Sequence, residues 1–215
     1  MKRRLCFVLV LCAFAAAPMK ADLYSYGFSC ITDNKVTDAG IGEAQFFVEV
    51  TPGPMEDQVL FTFQNTGPAA SSITDIYFYD GMLGDLIGLA PHGDVFFTEG
   101  ATPRSLPGWP GPAIKATDVF SADSAPPVQP NGINPGESLD VLFTLTDERT
   151  FQDVISALNA GITDPMASGV LTIGIHGQGF ADGGSESFVH APLPAAVLLG
   201  MLGLGVAGLK LRKRL

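Results

Sequence analysis

The feature that most constrains this chain is a set of short runs in which apolar residues recur at every second position, each run cut by Gly, Pro, Asn or Asp. In Gln58-Val-Leu-Phe-Thr-Phe-Gln64, Val59, Phe61 and Phe63 fall on one face, and Leu60 and Thr62 fall on the other. Such alternation suits a strand with one covered face, and a slip of one residue would carry the phenylalanines into water. Their faces are therefore expected inside. Further strands are expected at 44–50, 73–79, 85–89, 94–98, 138–145 and 170–176. Short strands with turn residues between them predict an all-β fold. The expected form is a single β-sandwich, jelly-roll-like or Ig-like, of two sheets packed face to face.

One helix interrupts the pattern. Phe151, Val154, Ile155 and Leu158 have helical spacing, Thr150 stands at the N-cap position, and Gly161 lies just past the expected end at Asn159. This helix is expected to lid one end of the sandwich. Between Gly100 and Gly136 periodicity fades and proline becomes frequent. A stretch of that length with little periodicity beyond Ile114 to Phe120 reads as a rigid surface excursion. Such loops are uncommon in compact domains unless they bind something or are disordered, so it is the expected recognition surface. Trp109, within Pro107-Gly108-Trp109-Pro110-Gly111, is its candidate glycan contact, stacking on a sugar ring. The competing expectation tucks the same ring against the sandwich edge.

Charge is unevenly laid out. The formal net charge is -10, yet Lys2, Arg3, Arg4, Lys20, Lys210, Arg212, Lys213 and Arg214 lie at the two ends, while all 22 acidic residues lie between Asp22 and Glu186. Only Lys35, Arg104, Lys115 and Arg149 accompany them. A polyanion of this kind repels nucleic acid and draws in divalent cations. No nucleic-acid partner is expected. Oxygen-rich loops make calcium the one candidate ion, with Asp80 and Asp85, Asp118 and Asp123, and Asp182 and Glu186 as candidate ligands. Turn-forming Asp and Gly account for the same letters without an ion.

Catalytic patterns are sparse. His92, His176 and His190 are scattered and form no His-Glu-x-x-His helix, so no transition-metal site is expected. The stretch Gly183-Gly184-Ser185-Glu186-Ser187 misses the nucleophile-elbow spacing. Asp147 with Glu148, or Glu137 with Asp140, are the carboxylate pairs that a glycosidase would need. The expectation is a protein that is not an enzyme and has no cofactor beyond calcium. A secreted carbohydrate-active hydrolase and a calcium-dependent lectin-like module are the alternatives. Cys6 and Cys12 fall in the N-terminal apolar run, which leaves Cys30 as a buried thiol, a mixed disulfide or a dimer link, and its neighbours Phe28 and Ile31 favour the buried thiol.

Both ends carry addresses. Met1 to Arg4 are basic, Leu5 to Ala17 apolar, and small residues follow to Ala21, which is the layout of a cleaved signal peptide over residues 1–21. The exported acidic domain then spans 22–190, and a tail spans 191–215. In the tail, Pro192-Leu193-Pro194 is followed by an apolar run at 195–209 with Gly200, Gly203, Gly205 and Gly208, and by a basic stop at 210–215. The basic residues are expected to stay on the cytoplasmic side, with the domain outside the inner membrane. A helix of that length reaches about 22 Å against a hydrocarbon layer of about 30 Å, which makes a marginal transmembrane anchor suited to later removal.

This tail resembles the PEP-CTERM sorting signal read by exosortase-type transpeptidases or proteases, with Leu193 where the namesake motif has Glu. The blocks NTGPAASSITDIYF (65–78), FSADS (120–124), NPGESL (134–139) and GIHGQGFADGGSESF (174–188) are similar to blocks of one recurring group of such proteins. The resemblance implies an exported cell-surface or extracellular-matrix protein. Its expected partners are a sorting enzyme of exosortase type, the inner membrane and polysaccharide, and the group brings no activity to carry over.

Overall fold

A computed structural model of the chain describes residues 22–79, 83–109 and 119–193. The expected signal peptide, Asp80, Asp118, Pro194, the apolar run and the expected basic stop with Lys210, Arg212, Lys213 and Arg214 lie outside the described residues. Among the described residues no helix is long and apolar enough to cross a membrane.

The chain runs β1 (Tyr24–Cys30), α1 (Val36–Gln45), β2 (Phe46–Pro52), β3 (Gln58–Asn65), β4 (Ser72–Tyr79), β5 (Leu83–His92) and β6 (Phe97–Glu99). It continues β7 (Val119–Ser124), α2 (Val128–Asn131), β8 (Ser138–Leu145), α3 (Phe151–Thr163), β9 (Thr172–Gln178) and β10 (Glu186–Pro192). Every named pairing is antiparallel. The fold is all-β, as the alternation predicts, but the two separate sheets expected are not found. Among the described residues, hydrogen bonds link ten strands in the order β5-β8-β3-β2-β1-β10-β9-β4-β7-β6.

The reason lies in β1 and β10, neither of which was expected as a strand. They pair with each other and with β2 and β9, stitching the two halves together. The sheet then curls until its halves face each other. Phe78 of β4 packs its ring 4.9 Å from Phe61 of β3 and 5.0 Å from Phe143 of β8, although those strands stand far apart in the order. Val59, Phe61 and Phe63 are wholly buried, as are Val48, Val50, Leu139 and Val141. Each large side chain so buried contributes about 1.5–3 kcal/mol. The edge strands β5 and β6 are consecutive in the chain and meet at one corner.

Strand β4 is buried on both faces. A shift in register between Ile73 and Asp75 lets Ile73, Ile76 and Phe78 all join the core. The same bulge turns Asp75, Tyr77 and Tyr79 to the outer face, which strict alternation would not give.

Helix α3 forms as the spacing predicts, with a capping box between Thr150 and Asp153, and it buries Val154, Ile155 and Leu158 in the core. It does not stop before Gly161. That residue lies inside the helix, where a Cβ would come 2.5 Å from Leu171 O. Glycine here permits close approach to β9 and His190; it does not end the helix.

Helix α1 was not expected, because its sequence holds two glycines and no strong apolar stripe. Tertiary packing decides it, since a Cβ on Gly42 would strike the ring of Phe188. The expected excursion is also corrected. It contains β7 and α2 and contributes buried Ala101, Leu106 and Ile133 to the interior.

Strand directions give the molecule two ends. Asp22 and Leu193 lie at the end closed by α3, because Tyr26 pairs with Pro192 across β1 and β10. Strand β10 thus carries the fold to Pro192, two residues past the expected boundary at 190. Helices α1 and α2 and the loops 65–72 and 131–138 lie at the other end, roughly 20 Å away along a seven-residue strand.

Candidate functional site

The α2 end is organised around two buried amides. Gln45, the last residue of α1, is delivered there because Gly42 lets the helix sit against Phe188. Its Nε2 donates to Ala69 O at 2.9 Å and to Ser71 Oγ at 2.9 Å, and its Oε1 accepts from Ala69 N. Asn65, the last residue of β3, donates from Nδ2 to Ser71 O, Ser71 Oγ and Ile133 O, and its Oδ1 accepts from Gly67 N. The two side chains lock the 65–72 loop to the 131–137 loop without any charge. Buried networks satisfied in this way hold a surface in one geometry.

Two open grooves flank that junction. One, of about 420 Å³, is lined by Ala70, Ser71, Ser72, Gln129, Pro130, Asn134, Pro135 and Gly179. The other, of about 310 Å³, is lined by Gln64, Asn65, Thr66, Gly136, Glu137 and Ser138. The carboxylate between them is spent internally. Glu137 accepts from Asp94 N at 2.7 Å, and from both the backbone N–H and the Nδ2 of Asn134 at 2.9 Å. The grooves therefore present amides, hydroxyls and a proline-alanine floor.

A second polar cluster lies on the outer face of β10, β9, β4 and β7. Register places Ser187 opposite His176, His176 opposite Asp75, and Asp75 opposite Asp123. His176 Nδ1 is 3.2 Å from Asp75 Oδ2, and Thr74 Oγ1 donates to the same oxygen. Asp75 and Asp123 face each other across β4 and β7. Burial, and then the Asp75 carboxylate, push the Asp123 carboxyl up, against the Thr102 N–H that pulls it down. Ser, His and Asp in adjacent register invite a nucleophilic reading. Ser187 is wholly buried, however, and its Oγ has no hydrogen-bond partner, so its hydroxyl is not bonded to the imidazole.

No family model, curated protein or solved structure matches this chain.

Trp109 packs on the outer face of the sheet, over β4. Residues 100–109 form a strap over the outer face, tied by Tyr77 Oη donating to Pro103 O at 2.9 Å and by Leu106 N donating to Tyr79 Oη at 2.7 Å. The half-buried Trp109 ring stacks on Tyr79 at 4.7 Å and 10°, so one indole face is already used by the protein. Burial under this strap pushes the Tyr79 hydroxyl up to about 12.

The candidate calcium ligands are dispersed. Asp85 is exposed on β5, Asp123 belongs to the outer-face row, and the carbonyl of exposed Asp182 accepts from Lys35 Nζ at 2.9 Å. Glu186 is turned inward, accepting from Thr32 Oγ1 at 2.6 Å, Asn34 N at 2.9 Å and Lys35 N at 2.6 Å. Burial pushes its carboxyl up, but these donors outweigh burial and hold it below the usual carboxylate range. It pins the 31–35 turn to β10. Among the described residues no three His, Cys, Asp or Glu side chains come together as a metal set.

The carboxylate pairs are likewise separated in role. Glu137 clamps Asn134, whereas Asp140 accepts from Thr62 and lies 3.0 Å from His92 Nε2. Asp147 and Glu148 sit exposed on a turn with φ of 51° and 56°. Cys30 is half-buried, 3.5 Å from Glu186 Oε2, and burial pushes its thiol up.

Gln45, Asn65, Ser71, Gln129 and Asn134 were not picked out from the sequence. The available signal was positional: the blocks 65–78, 134–139 and 174–188 all contribute residues to the α2 end.

Proposed function

We propose that this chain is an exported cell-surface or extracellular-matrix protein of PEP-CTERM type, whose acidic domain works by adhesion or glycan contact and not by catalysis. The observation that carries the reading is the order of the tail: Pro192-Leu193-Pro194, a glycine-spaced apolar run, then Lys210, Arg212, Lys213 and Arg214. The positive cluster holds the end inside and the domain outside. The run is a weak anchor, suited to recognition and removal by an exosortase-type enzyme.

Two further features support it. The junctions with the leader and the tail leave the domain side by side at the α3 end, which suits a domain standing on a membrane. The curled sheet serves as a sandwich-like scaffold whose loops at the far end are presented outward. The calcium-dependent lectin-like alternative draws on the acidic loops alone.

The deciding experiment is mass spectrometry of the C-terminal peptide of the native protein. Loss of the basic cluster from mature molecules is expected. Its retention on all of them replaces sorting with a permanent anchor. Glycosidase turnover abolished by a single acid-to-amide change would sink the non-catalytic reading.

A further inference from the structure

We propose that the α2 end is a binding face for an uncharged polysaccharide, with Phe96 stacking on one sugar ring and the groove across Ser72, Gln129 and Asn134 taking its neighbours. This rests on the reading of the chain as a glycan-contacting surface protein and moves the contact away from Trp109.

Phe96 is the reason to look here. It is 57% exposed, a large aromatic left in water, and its backbone is bonded to Asn131, the residue after groove-lining Pro130. Its backbone is fixed on both sides, Phe96 N donating to Asn131 O at 2.8 Å and Ala125 N donating to Phe96 O at 2.9 Å. A ring on such a rigid base binds with little ordering cost, and its apolar face suits the C–H face of a sugar.

The hydrogen-bonding groups stand close by. Asn131, which holds Phe96, ends the helix that begins at Val128 and carries Gln129 and Pro130 into the groove. The exposed Gln129 amide makes no side-chain hydrogen bond among the described residues and lies along Gly179, whose φ of 69° suits glycine. Asn134 Nδ2 is saturated by Pro130 O, Gly132 O and Glu137, which leaves Oδ1 as an acceptor. An amide donor and acceptor beside an aromatic face match a polyhydroxylated ring.

Charge selects the class. The chain is strongly acidic, so an anionic polymer is repelled, and a cationic one would find Glu137 already occupied by three N–H groups. Position agrees, since this end lies opposite the exit at Leu193.

The test is calorimetric titration of the full chain, held in a zwitterionic detergent, with neutral gluco-, manno- and galacto-hexasaccharides and with polygalacturonate. At least one neutral hexasaccharide is expected to bind and polygalacturonate is not. Phe96→Ala and Gln129→Ala should each weaken binding about tenfold, the scale of a single contact residue. Phe96→Trp should restore it, Trp109→Ala should leave it unchanged, and melting temperatures of the Phe96 and Gln129 variants should match the parent. Binding that survives both alanine substitutions overturns this placement while leaving glycan contact standing. Preference for polygalacturonate overturns the uncharged class, and no binding of any neutral sugar overturns the proposal, whatever the C-terminal peptide shows. Self-association abolished by Phe96→Ala assigns the face to a second copy and overturns it as well.

Discussion

The two polar clusters of this domain are built on opposite chemistry. At the α2 end, Gln45, Asn65 and Ser71 form a buried network of neutral groups with partners for its donors and acceptors. On the outer face, Asp123, Asp75 and His176 form a row of ionisable groups, continued by a serine hydroxyl with none. The first can hold loops at any pH. The second is made of ionisable groups, with Asp75 buried and Asp123 and His176 partly exposed. The difference teaches why the neutral end, and not the acidic row, is the better candidate for recognition.

The largest expected effect comes from breaking the neutral network. Asn65→Ala removes three donated bonds and the acceptor of Gly67 N, which should lower unfolding free energy by about 3 kcal/mol, equally at pH 5 and pH 8. Chemical denaturation at the two pH values measures it. Ser71→Ala should cost about 1.5 kcal/mol in the same assay, because Gln45 and Asn65 both lose an acceptor.

The acidic row should respond to pH instead. Asp123 binds its proton more tightly folded than unfolded. Its contribution is complete below the ordinary Asp value of about 3.9 and is lost as pH rises through the folded value. Asp123→Asn keeps a donor toward Asp75 and removes the repulsion, so at pH 7 it should raise the melting temperature by about 2–4 °C. That gain should vanish below about pH 4. Comparing variant with parent isolates this group, because Glu186 and His190 act in the other direction. Burial pushes His190 down, the donors to Glu186 hold its carboxyl down, and both contributions are lost as pH falls. The smallest effect separates the clusters most sharply. Ser187→Ala should change stability by no more than about 0.5 kcal/mol, since Oγ has no bond to lose. A loss as large as that of Ser71→Ala would mean the hydroxyl is partnered and the contrast false.

Much of the scaffold was legible beforehand. Ser138–Leu145 was read to the residue, and β3 to within one, because one face of each is fully covered and the other wet. Strands β1 and β10 escaped because Gly27, Ser187 and His190 break their apolar pattern while serving real positions in the sheet. Helix α1 escaped because its glycines count against a helix until Phe188 is seen above Gly42. The site was less legible still. Trp109 drew notice as the lone tryptophan, whereas Phe96 is one of fifteen phenylalanines, and only burial distinguishes it.

The amino-acid sequence alone determined the local matters: period-two strands with phenylalanine inside, the Thr150 cap, the acidic middle and the expectation of addressed ends. These follow from side-chain spacing and charge, which neighbours along the chain specify. Tertiary structure decided what depends on partners distant in sequence. It joined the halves into one sheet through β1 and β10, turned Glu186 inward, spent one face of Trp109 on Tyr79, and left Phe96 in water. Exposure is a property of the folded surface, so no reading of the order of residues could have assigned it.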